Sequence, residues 1–149
     1  MLKLVFTTIL ILFCYETHAV CFDPKTWISG YKIPLEQEIE ESKAIIIGEV
    51  IKEERIHDIP NDPEFYSAIH FTIRVEQTLK GDIEDEIMIK ETLDSSRYGL
   101  SLNEKHILFL YPDKYDENFD YSVTSCGNSS LLPEGEGVVN SILTHLKSK

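Results

Sequence analysis

The chain has 149 residues, a formal net charge of −12 and 42% hydrophobic residues. That charge excludes the basic footprint on which nucleic acid or an anionic membrane surface binds. The length suits one domain with one core, and the apolar content is enough to fill it.

The first segment reads as an export signal. Lys3 supplies a short basic start, and Leu4 to Phe13 is apolar except for Thr7 and Thr8. Thr17-His18-Ala19 then places small residues where a signal peptidase cuts, so residues 1–19 are expected to be removed and 20–149 to form one exported domain. The apolar run is too short to cross a hydrocarbon layer of roughly 30 Å, so no transmembrane segment is expected after cleavage. The expected location is the periplasm or the medium. Cys14 leaves with the signal, and Cys21 and Cys126 remain. An exported domain with two cysteines most simply joins them, and only one pairing exists. Closing a loop of that size is worth up to about 5 kcal/mol in the chain-entropy account.

Residues 20–33 show little periodicity and are expected to lie over the domain surface. Pro34 starts a short helical pattern with Leu35 and Ile39 on one face and four glutamates around them. Five strand patterns follow. Lys43 to Ile56 is rich in β-branched residues, and Gly48 in its middle marks a bulge or sharp bend. Tyr66 to Leu79 alternates: Ile69, Phe71, Ile73 and Val75 against His70, Thr72, Arg74 and Glu76. Glu86 to Leu93 is the third strand, with Ile87, Ile89 and Glu91 on one face. His106 to Tyr111 is a continuous apolar strand stopped by Pro112, and Tyr121 to Cys126 is the fifth. Val138, Val139, Ile142, Leu143 and Leu146 then make the stripe of a C-terminal helix.

Five strands with a glycine break in the first favour a mainly β fold. A five-stranded oligonucleotide/oligosaccharide-binding (OB) barrel would leave no unprotected edge, whereas an open α+β sandwich would leave two.

No motif assembles a catalytic site. There is no Gly-x-Ser-x-Gly and no phosphate-cradling glycine loop; Gly135 and Gly137 lack the required lysine partner. His57, His70, His106 and His145 share no metal-ligand spacing, so neither metal nor cofactor is expected. Asp113, Asp116, Glu117 and Asp120 are the one acidic group with calcium-like chemistry, but they follow no known loop pattern. Asn128-Ser129-Ser130 fits the glycosylation sequon. The reading is a non-enzymatic, monomeric interaction domain with a protein partner.

One family shares the order of these segments. Cys21-Phe22-Asp23-Pro24, the strand Ala44 to Val50, Phe71 to Gly81, Ile107 to Leu110 and Thr124-Ser125-Cys126 follow one another as they do in the tissue inhibitors of metalloproteinases (TIMPs) and their exported bacterial-type relatives. The chain resembles that family over most of its mature length. The resemblance implies an OB barrel with the N-terminal cysteine pinned to the body. It also implies that Cys21, Phe22 and Asp23 would contact a protease: the α-amino group and carbonyl of Cys21 on its zinc, Phe22 in its specificity pocket. The family's Cys-x-Cys is here Cys21-Phe22-Asp23, and Val20 precedes Cys21. Cleavage after Val20 would free the amine as a zinc ligand; cleavage after Ala19 would leave Cys21 a structural staple.

Overall fold

A computed structural model describes residues 21–58, 60, 62, 64–94, 97–114, 116 and 118–148. Residues 1–19, expected to be an export signal, and Val20 lie outside the described residues.

The elements run α1 (Leu35–Glu41), β1 (Ala44–Ile56), β2 (Ala68–Lys80), β3 (Glu86–Thr92), β4 (Lys105–Pro112), β5 (Tyr121–Ser122), β6 (Ser130–Leu131) and α2 (Leu132–Lys147). The sheet order is β1-β2-β3-β5-β4, and β1 pairs again with β4, so five strands close into an OB-like barrel. All pairings are antiparallel except β3 with β5, which meet in parallel at Ile89 and Tyr121. β1 serves two neighbours. Its whole length pairs with β2, and its first half, Ala44 to Glu49, pairs with Leu110 to Lys105.

Gly48 is where β1 bends. The register shifts between Ile47 and Gly48, and a Cβ there would stand 2.6 Å from Ile73 Cγ2 and 3.0 Å from Arg74 O. Only glycine lets β2 come that close.

Two apolar clusters explain two different strand patterns. Inside the barrel lie Ala44, Ile46, Phe71, Ile73, Ile89, Leu108 and Leu110, among others. Outside it, Ile45, Ile107 and Phe109 pack under Ile39 of α1 and Ile142 of α2. β1 and β4 are therefore buried on both faces at this point, which is why 44–47 and 107–110 read as continuous apolar runs. β2 meets the helices only at its end, through Leu79 and Lys80, and before that it alternates.

Lys80 anchors α1. Its Nζ donates to the carbonyls of Ile39 (2.6 Å), Glu40 (2.9 Å) and Ser42 (2.6 Å), the acceptors that a helix C-terminus leaves unmet. Pro133 occupies the first turn of α2, and Gly135 lets that helix lie on β4, where a Cβ would be 2.8 Å from Ile107 Cγ2.

Two local expectations are corrected and a third is sharpened. The fifth strand spans two residues, not six. After Ser122 the backbone turns, with Cys126 N donating to Thr124 Oγ1 and Gly127 N to Thr124 O, because Cys126 has to meet Cys21. A sixth strand, β6, pairs with His106 and Ile107 of β4; two residues are too few to carry a period. Residues 20–33, expected only to lie over the surface with little periodicity, form a hairpin there from Cys21 on.

Candidate binding surface

The hairpin is built from short-range chemistry. Phe22 and Ser29 face each other in an antiparallel bridge, with Asp23 N donating to Ile28 O at 3.0 Å and Trp27 N to Asp23 O at 2.9 Å. Asp23 folds its carboxylate over the turn, where Oδ1 accepts the amides of Lys25 (2.7 Å) and Thr26 (3.2 Å). The Lys25 amide is the main reason the Asp23 pKa lies below the ordinary carboxylate range. Pro24 enters the turn behind it, as the Asp-Pro pair suits. Two residues take the left-handed conformation, Gly30 at φ 82° and Trp27 at φ 59°. Glycine does so without strain; a bulky side chain does not.

Both feet of the hairpin converge on Cys126. Cys21 is bonded to it through sulfur, with a Cα–Cα distance of 5.6 Å, as the cysteine count predicts. Ile33 N donates to the Cys126 carbonyl at 3.0 Å, and Tyr31 N closes the inner ring onto the Cys21 carbonyl at 3.0 Å. Behind this point lies a polar latch. The fully buried Glu38 carboxylate accepts Asn128 N and Asn128 Nδ2, both at 2.6 Å, and Asn128 Nδ2 also donates to Ile33 O at 2.9 Å. Gly127 runs so close to Glu38 that any side chain there would collide with Oε1. Burial pushes the Glu38 carboxyl above its ordinary range, with the Asn128 donors opposing. The buried Tyr111 hydroxyl beside it is raised in turn, by burial first and by Glu38 second.

Cys21, Phe22 and Asp23, the residues singled out as contacts, are thus brought together on one strand of the hairpin in three different states. Cys21 is partly buried at the foot, and its carbonyl is engaged by Tyr31. Asp23 caps its own turn. Phe22 points outward and is 53% exposed. The hairpin adds two residues that sequence reasoning missed, Trp27 at 78% and Ile28 at 67% exposure. The usable signal was the chain's one tryptophan set between Pro24 and Gly30, two turn formers that leave it no core to enter.

The sequon is spent on structure. Both hydrogens of Asn128 Nδ2 point at acceptors within the latch, so a glycan on this nitrogen and the latch exclude each other. Asp116 of the acidic loop pairs with Lys90 at 2.7 Å, which with the Asn118 donors holds it down at about 2. Asp116 N donates to Asp113 Oδ1 at 3.1 Å; Glu117 lies outside the described residues. Among the described residues, no three His, Cys, Asp or Glu side chains are grouped to hold a metal ion.

The histidines separate by surroundings. His70 packs edge-on against Phe119, with centroids 4.7 Å apart, and burial holds its pKa below the ordinary histidine value, favouring the neutral ring. His106 is buried and shares a hydrogen with the Tyr98 hydroxyl at 3.0 Å. His145 meets Glu40 at 2.8 Å across α1 and α2. Glu91, on the inner face of β3 as its spacing predicts, is a second buried carboxylate and accepts the amides of Gly99 (2.9 Å) and Leu100 (3.3 Å). His70, His106 and Glu91 fasten loops to the barrel, and His145 joins the two helices. No helix among the described residues is long and apolar enough to cross a membrane.

The class defined by this geometry is an OB-like barrel that displays a disulfide-anchored apolar hairpin. No protein-family profile and no curated protein sequence matches the chain.

Proposed function

We propose that this chain is an exported, non-enzymatic interaction domain, TIMP-like in design, that binds a protein partner as a monomer through its N-terminal hairpin. One observation carries the reading: Phe22 stands exposed beside Cys21 on a hairpin whose two feet meet at Cys126. A contact loop fixed before binding loses little freedom on binding, and exposed aromatic side chains are the usual anchors of such contacts. The disulfide accords with the periplasm or the medium as its location. Phe22→Ala is expected to lower capture of the partner from the exported fraction by at least roughly thirty-fold, the effect of losing about 2 kcal/mol. Undiminished capture by a folded, oxidised Phe22→Ala protein refutes the reading.

A second reading rests on the same corner. The chain acts as a metalloproteinase inhibitor if it begins at Cys21, with the free amine on the protease zinc and Phe22 in the adjoining pocket. The covalent fixation of Cys21 favours it; the engagement of the Cys21 carbonyl by Tyr31 N opposes it. Two purified forms, starting at Val20 and at Cys21, separate the readings. Inhibition of a zinc endopeptidase by the Cys21 form alone establishes the second, and inhibition by neither removes it.

A further inference from the structure

We infer that the hairpin tip, Lys25 to Ile28, is the recognition element, and that its partner is a protein offering an apolar recess bordered by carboxylates. This rests on the interaction reading above and adds to it the contact residues and the chemistry of the other side.

The tip concentrates costs that the fold does not recover. Trp27 is a bulky residue with left-handed backbone, a conformation costing on the order of 1–3 kcal/mol. It is also the most exposed of the large apolar side chains among the described residues, so burial returns little for that strain. Ile28 follows it into solvent, and Phe22 stands on the opposite strand. The chain's single tryptophan stands where no described residue covers it. The backbone there is already set by the Asp23 turn and the Phe22–Ser29 bridge, so insertion of Trp27 needs no reordering of the loop.

Charge narrows the partner. The chain as a whole is strongly acidic, yet the hairpin carries Lys25 and Lys32 against one acid, Asp23, and that carboxylate is occupied by its own turn. An apolar knob with Lys25 at its tip and Lys32 at its foot, near Glu38, fits an apolar recess with an acidic rim. An anionic lipid surface suits the lysines but repels the remaining charge of the molecule. A second copy meets the same repulsion. The Cys21 carbonyl already accepts the Tyr31 amide, so the grip comes from side chains and not from metal ligation.

The test places a photo-crosslinking benzoylphenylalanine at position 27 or 22 of the full chain and irradiates it in the exported fraction of the producing cells, with and without excess chelator. The expected result is one protein crosslinked from both positions, unaffected by chelator. Its position-27 site should map to an apolar recess with Asp or Glu at its border. Trp27→Ser should lower capture at least roughly thirty-fold and Trp27→Phe should restore most of it. Crosslinks from position 22 but none from 27 overturn the inference and spare the interaction reading; none from either overturns both. Crosslinking to lipid or to a second copy, a basic contact site, or loss of the product with chelator also overturns it. Trp27 emission should not shift on adding phosphatidylcholine vesicles, and a blue shift assigns the tip to a membrane instead.

Discussion

Residues 22–30 of the hairpin contain no buried side chain, whereas residues 44–48 of β1 and 106–110 of β4 contain no exposed one. The seam between β1 and β4 is held by apolar contact on both faces, barrel on one side and helices on the other. The hairpin is held by one covalent bond, a few backbone hydrogen bonds and the Glu38–Asn128 latch at its base. The same chain thus fixes two segments by opposite means. A segment fixed without burial keeps its apolar side chains available, and that is the physical condition for a contact loop.

The sharpest way to break this comparison is to exchange the two kinds of loss. Phe109→Ala opens a cavity between β4 and the helices and is expected to cost about 3–5 kcal/mol in equilibrium unfolding. Cys21→Ser with Cys126→Ser is expected to cost about 2–4 kcal/mol, while the circular dichroism of the barrel survives and hydrogen exchange rises in residues 22–32. Asn128→Ala strands the buried Glu38 carboxylate and should cost about 1–3 kcal/mol, again with faster exchange in the hairpin.

The pH dependence of the latch is a smaller effect with a definite sign. The folded Glu38 carboxyl sits above its unfolded value, so its contribution is fully present below the unfolded value and is lost as pH rises through the folded one. Glu38→Gln keeps an acceptor for Asn128 and does not ionise. Its melting temperature relative to the parent protein is therefore expected to climb as pH rises above the ordinary carboxylate range. Asp116 has the opposite sign: its contribution is present above the ordinary aspartate value and is lost only as pH falls through about 2, outside that comparison. A difference that is flat with pH would remove Glu38 as the titrating group. Trp27→Ser should give the smallest change, within about 0.5 kcal/mol in stability, because the side chain touches no core. A larger loss would mean that the tip is structural.

Much of the barrel was legible because its signals are local. The alternation of β2, the bend at Gly48 and the stripe of α2 each follow from spacing within a few residues, and the strands lie where those spacings place them. The single cysteine pairing was legible by counting. The short fifth strand and β6 were not, since their extent depends on where Cys126 is pulled and on which part of β4 is left unpaired. Residues 20–33 showed only a surface segment of little periodicity because a hairpin made by an Asp turn, one glycine and a disulfide needs no apolar period.

Spacing and composition alone therefore determine the four long strands, the bend that lets them close and the covalent link to Cys126, since β-branching, glycine and cysteine each act at their own position. Only the tertiary structure decided which apolar residues remain outside. Phe22, Trp27 and Ile28 are no less hydrophobic than Phe71, Phe109 and Ile45. They stay exposed because both ends of their hairpin are tied to Cys126, outside a barrel whose interior is lined by residues of the strands.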